Sequence, residues 1–124
     1  MTSIGVKYVG ALAALALLGC GGGAEAPSGA ETSSGAELAQ YEGPIASADA
    51  ERGREIFEAH CDDCHPDGGE DVGPSLTADA HSPAQIRKQI REGSGRMKPF
   101  PEKRLSDDDL EHVLAYLASI NAVK

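Results

Sequence analysis

The chain has 124 residues, a formal net charge of −9 and no tryptophan. That length holds one small domain with flanking segments, and the acidity excludes nucleic acid as a partner, because phosphate binding takes a basic surface. The cysteine count is three, an odd number that leaves one thiol outside any pair.

The N-terminus reads as an export signal over residues 1–19. Lys7 is its single charge, and the apolar run Val9 to Leu18 is too short to span a bilayer. The segment closes as Leu17-Leu18-Gly19-Cys20, which resembles a bacterial lipobox. Cleavage before Cys20 and lipid on its sulfur would anchor the mature chain to a membrane, periplasmic or outer-surface. Ordinary cleavage near Cys20 is the alternative, and it leaves a free thiol.

Residues 20–48 are rich in Gly, Ala, Ser, Glu and Pro and lack apolar periodicity, so a disordered tether is expected. As a flexible coil it spans roughly 30 Å. The folded domain is then 49–124. A domain this short is marginal without a staple.

Three helices are predicted. The first runs from about Ala50 to His60, with Asp49 as N-cap and Ile56 and Phe57 on its apolar side. The second opens at Ser82-Pro83, carries Ile86 and Ile90 on one face and ends at Gly93. The third opens at Ser106, with Asp109 three positions on, as a capping-box variant. Leu110, Val113, Leu114, Leu117 and Ile120 form its apolar stripe. No strand is expected, so the class is all-α.

Between the first two helices stands Cys61-Asp62-Asp63-Cys64-His65. The spacing Cys-x-x-Cys-His signals attachment of haem c. Two thiols one helical turn apart can bond two neighbouring vinyl groups, and the next residue, His65, can reach the iron. A dithiol redox site would want a βαβ setting and a lowered thiol pKa, whereas Asp62 and Asp63 push the other way. A zinc site would want a second ligand pair at finger spacing. Met97 is the only methionine besides Met1. It sits among Gly95, Arg96, Lys98 and Pro99, a poor context for core filler, and is the candidate sixth ligand. His60, His81 and His112 are the rivals, His81 foremost.

With these residues in order, the chain resembles a class I monohaem cytochrome c over residues 50–121. Gly53 and Phe57 resemble the small–aromatic pair of that family's first helix. Leu114-Ala115-Tyr116-Leu117 resembles the last-helix motif that crosses it, and Gly73-Pro74-Ser75-Leu76 resembles the family's Gly-Pro-x-Leu. The resemblance implies the small cytochrome c fold around one covalent haem c. It implies that the Pro74 carbonyl accepts from the His65 ring, that Leu76 touches the haem face, and that Met97 is the distal ligand. Lys98 separates Met97 from Pro99, where bacterial members often place Pro directly after Met.

The function so implied is single-electron transfer between redox partners of a respiratory or similar chain, by a monomeric carrier and not an enzyme. A five-coordinate haem sensor, or a dedicated haem subunit of an oxidase or dehydrogenase, is the alternative. A peroxidase would call for a second haem motif. Seven basic residues (Arg87, Lys88, Arg91, Arg96, Lys98, Lys103, Arg104) stand against Glu92 and Glu102 over 87–104. This predicts a basic Met97 side that docks on an acidic partner patch.

Overall fold

Three of the four helices in the computed structural model, which describes residues 30–124, start at a side chain that caps them. The helices are α1 (Ala30–Ala39), α2 (Ala50–His60), α3 (Pro83–Glu92) and α4 (Asp107–Ser119). A single 3₁₀ turn, Pro66–Gly68, follows α2. Asp49 accepts from the Arg52 amide at 3.0 Å and starts α2. Ser82 and Gln85 exchange reciprocal bonds at the head of α3, a full capping box behind the proline. Ser106 accepts from the Asp109 amide at 3.1 Å, and Asp107, Asp108 and Asp109 place negative charge at the positive end of α4. The domain is therefore all-α, with isolated bridges and no strand among the described residues.

The core forms where α2 crosses α4. Gly53 lies under the α4 backbone: a Cβ there would stand 1.8 Å from the His112 carbonyl oxygen. The two helices approach this closely only because the side chain is a hydrogen. One turn on, the rings of Phe57 and Tyr116 meet at 5.1 Å in a tilted pair, worth about 0.5–1.5 kcal/mol beyond its buried area. Phe57, Val113 and Leu114 are the largest fully buried side chains. Ile56, Ile90, Phe100, Leu105, Leu110, Leu117 and Ala122 form one buried cluster with Phe57, Val113 and Tyr116. The helices thus hold the last turn of α2, and with it Cys61, against a rigid block.

The segment expected to be a disordered tether over residues 20–48 is structured from Ala30 onward. Residues 30–39 are rich in Ala and Glu, good helix formers, and the helix lies along α3, with Glu37 3.8 Å from Lys88. Tyr41 to Ser47 then follow α3 and α4, held by side chains of both helices. Packed chain therefore begins upstream of the expected boundary at residue 49, because a buried arginine takes the backbone carbonyls as its partners. The signal segment 1–19, Cys20 and residues 21–29 lie outside the described residues. Among the described residues no helix is long and apolar enough to cross a membrane.

Candidate haem site

The motif continues the turn that ends α2. The Cys61 amide donates to the Phe57 carbonyl at 2.7 Å, and the Cys64 and His65 amides both donate to the Cys61 carbonyl, at 3.1 and 3.0 Å. Cys61 is half-buried against the core and Cys64 is exposed. Burial, then the neighbouring Cys64 and Asp62 charges, push the Cys61 thiol up to about 11 against the pull of Arg104. A thiol so raised is not the thiolate that a dithiol redox centre uses. Among the described residues no three His, Cys, Asp or Glu side chains group to hold a metal ion.

His65 is buried, 8% exposed, and its ring is framed by the loop that follows. Its Nδ1 lies 2.9 Å from the Pro74 carbonyl oxygen. That oxygen can only accept, so Nδ1 carries the proton and the Nε2 lone pair is left available. Gly73 lies flat against the ring: a Cβ there would stand 2.2 Å from Cε1 and 2.6 Å from Nε2. The Gly73 amide donates to the Cys64 carbonyl at 2.9 Å and the Leu76 amide to the Gly68 carbonyl at 2.8 Å, which ties the loop to the motif it covers. Asp67 and Gly68, both at positive φ (52° and 78°), turn the chain between them.

Met97 sits in a tight hairpin. Ser94 and Met97 exchange both backbone bonds at 2.9 Å, with Gly95 at φ 56° at the corner. Gly93 ends α3 at φ 67°, and a Cβ there would stand 2.4 Å from the Met97 carbonyl oxygen. The Met97 thioether accepts from the Gln89 side-chain amide at 3.4 Å. The Phe100 amide donates to the Ile90 carbonyl at 2.8 Å, so the segment after Met97 is pinned to α3. Cys61, Leu76, Ile86 and Met97 form a half-buried apolar border on the core.

Residues 48–117 match the family described as cytochrome c oxidase, cbb3-type, subunit III. Cytochrome c6 of Cyanidium caldarium is 34% identical over 83 residues, 60% of this chain and 74% of that protein. Cytochrome c6 of Leptolyngbya boryana is 35% identical over 78 residues, 56% of this chain and 91% of that protein. A cytochrome bc1 complex cytochrome c subunit of Corynebacterium diphtheriae is 28% identical over 88 residues, 65% of this chain and 31% of that protein. The chain belongs to the c-type cytochromes. It carries one covalently bound haem c and transfers electrons; it is not an enzyme.

The donor set of this cytochrome suits that group. Two thiols stand three positions apart, the His65 Nδ1 bonds Pro74 and leaves Nε2 without a partner among the described residues, Met97 offers a thioether, and the residues bordering the core are apolar. Among the rival histidines, only His112 has a ring nitrogen bonded within the described residues. His112 Nδ1 shares a 2.6 Å hydrogen bond with Ser47. His81 is exposed and bridges Val123 through its backbone. His60 is exposed, with its ring edge-on to Phe100 at 6.4 Å.

The basic stretch is smaller than the sequence count. Arg87 is paired with Glu111, Lys88 with Glu92 and Arg91 with Asp107. Exposed positive charge in this stretch without a salt-bridge partner among the described residues comes down to Arg96, Lys98, Lys103 and Arg104, the last lying over the Phe100 ring at 4.3 Å. Sequence reasoning missed Gln89 and the Arg87–Glu111 pair. A glutamine three positions from Ile86 and next to Ile90 was the signal for the first: it is polar on the apolar side of α3. The second had none, because its partners are backbone carbonyls.

Proposed function

We propose that this cytochrome is a membrane-tethered, single-haem carrier that passes electrons between redox partners outside the cytoplasm. Cys61 and Cys64 attach the haem, His65 and Met97 ligate its iron, and lipid on Cys20 holds the chain at the membrane. The observation that carries the reading is the His65–Pro74 contact at 2.9 Å with Gly73 against the ring. It fixes the tautomer and direction that an axial ligand needs and raises its basicity.

Haem supplies a one-electron couple when bound; the protein's residues do the remainder. Pro74 holds the proton on His65 Nδ1. Leu76, Ile86 and the core residues behind them keep water from the site. The Ser94–Met97 hairpin presents the thioether, and Gln89 donates to one of its lone pairs while the other stays available. His/Met ligation favours a comparatively high potential. With both axial positions taken by protein, a sensor's open position is not expected. Arg96, Lys98, Lys103 and Arg104 supply a positive rim for an acidic partner.

A visible spectrum of protein extracted from membranes, oxidised and reduced, tests the reading. Low-spin haem c is expected, with the weak far-red band of thioether-ligated ferric iron. That band should vanish in Met97→Leu, and Cys20→Ser should release the protein from membranes. A five-coordinate spectrum with rapid CO binding would overturn the ligation, and unchanged membrane association of Cys20→Ser would overturn the anchor. The match to a cbb3-type subunit III family and to a bc1 complex subunit favours a second reading, a dedicated haem subunit of one complex. Stoichiometric copurification with such a complex would establish it.

A further inference from the structure

Arg87 is a buried charge, 9% exposed, on a helix whose other buried residues are Ala84 and Ile90. Its guanidinium has five N–H donors, and all five are used. Nε donates to Glu111 Oε1 at 2.7 Å and Nη2 to Glu111 Oε2 at 2.9 Å. The other three go to the chain's own upstream backbone: Nη1 to the Tyr41 and Gly43 carbonyls at 2.9 and 3.0 Å, Nη2 to the Pro44 carbonyl at 2.8 Å. Glu111 Oε2 also accepts from the Ala46 amide at 2.7 Å. We propose that Arg87 and Glu111 form a socket that locks residues 41–47 onto α3 and α4, so that the rigid unit bearing the haem begins at Tyr41.

The sequence of the strap suits the socket. Gly43, at φ 140°, takes a conformation that other residues rarely adopt and lets its own carbonyl and those of Tyr41 and Pro44 converge on one guanidinium. Pro44 has no N–H and offers only an acceptor. Tyr41 Oη donates to Glu92 at 3.0 Å, and Ser47 Oγ meets His112 Nδ1 at 2.6 Å, so both ends of the strap are pinned. The hold is polar: Tyr41 and Ile45 are its only partly buried large apolar residues. Releasing the strap would leave a buried guanidinium with two acceptors in place of five, a costly state. A lysine could not substitute, since an ammonium lacks the planar fork.

The socket has a consequence for the upstream chain. Upstream of Tyr41, α1 lies beside Lys88, Gln89, Gly93 and Ser94, the helix end that leads into the Met97 hairpin. The strap therefore sets the side from which the upstream chain leaves, the side of the candidate distal ligand. That consequence rests on the tether reading; the socket itself does not.

Glutamyl endopeptidase digestion of the full-length holoprotein tests the socket, since Glu42 is exposed but flanked by two held carbonyls. Cleavage after Glu42 is expected to be about tenfold faster or more in Arg87→Met and in Glu111→Gln, with the haem spectrum unchanged. Arg87→Lys should resemble Arg87→Met, because charge without the fork does not hold three carbonyls. Equal cleavage in wild type and Arg87→Met would overturn the proposal. Should the variants not fold, hydrogen exchange in the unmodified protein decides it. The Ala46 amide is expected to exchange at least about tenfold slower than an open chain, and an open-chain rate would overturn the socket. A chain without lipid on Cys20 would give the same results, so the tether reading and the socket fail separately.

Discussion

Replacing Gly53 by alanine separates helix propensity from tertiary packing in this cytochrome. In an exposed helix the change stabilises by about 1 kcal/mol, because alanine loses less backbone freedom on folding. In α2 the added Cβ would lie 1.8 Å from the His112 carbonyl oxygen and 2.9 Å from the Tyr116 Cβ. Real Cβ atoms essentially never come within 3.0 Å of such an atom, so α2 and α4 must separate by at least about 1 Å. A gap of that size forfeits roughly a quarter to a half of the dispersion energy across the contact. It also loosens the 5.1 Å Phe57–Tyr116 pair. Overpacking costs about 1–3 kcal/mol; a 1.8 Å clash against backbone sits at the top of that range, about 3 kcal/mol, so against the gain of about 1 kcal/mol a net loss of about 2 kcal/mol is expected. For a domain of this size that lowers Tm by about 8–16 °C. Thermal and guanidinium unfolding of the oxidised holoprotein, followed by circular dichroism and by the haem band, measures it. Ala59→Gly, on the exposed side of the same helix, is the control and should cost about 1 kcal/mol through propensity alone. A Gly53→Ala protein as stable as wild type, or more so, would refute the close crossing.

Gln89→Leu removes the donor 3.4 Å from the Met97 thioether. With Met97 as the proposed ligand, the sulfur would then donate more freely to oxidised iron, and voltammetry should show a potential lower by about 20–60 mV, the size of one neutral hydrogen bond for a one-electron couple. Burial raises the Glu111 carboxyl, but bonds from Arg87 and the Ala46 amide and the charge of Arg87 outweigh it, and its pKa lies below the usual 4.5. Its contribution is therefore complete above that value and is lost as pH falls through the lowered one. Cleavage after Glu42, assayed with an acid-active protease, should accelerate only below about pH 4.5, and Glu111→Gln should flatten that dependence. Arg96→Glu with Lys98→Glu should slow electron transfer to an acidic partner at low salt and converge on wild type at high salt; stopped-flow traces at two ionic strengths would show it. Gly73→Ala should displace the His65 ring from Pro74, detectable as faster exchange of the ring N–H in the reduced protein.

Local chemistry wrote the helices and the centre of the site into the sequence. Asp49, Ser82 and Ser106 cap their helices through side chains only three residues from the amides they satisfy. Capping is short-range, so three of the four helix starts were legible. The Cys-x-x-Cys-His spacing specifies haem c for the same reason: one helical turn sets the reach of two thiols and one imidazole. Contacts between distant residues were not legible. Arg87 counted in the sequence as surface charge facing a partner, and became a buried group when Glu111 and the carbonyls of Tyr41, Gly43 and Pro44 closed around it. Gln89 gained a role only when the Gly93–Met97 turn brought a thioether to its amide. A guanidinium takes any carbonyl in reach, so residue identity does not reveal its partner. Sequence alone determined which residues cap the helices and which are the candidates to attach and ligate haem. Tertiary structure decided which charges stay at the surface, where the packed chain begins and which donor meets the methionine, because each depends on segments that only folding brings together.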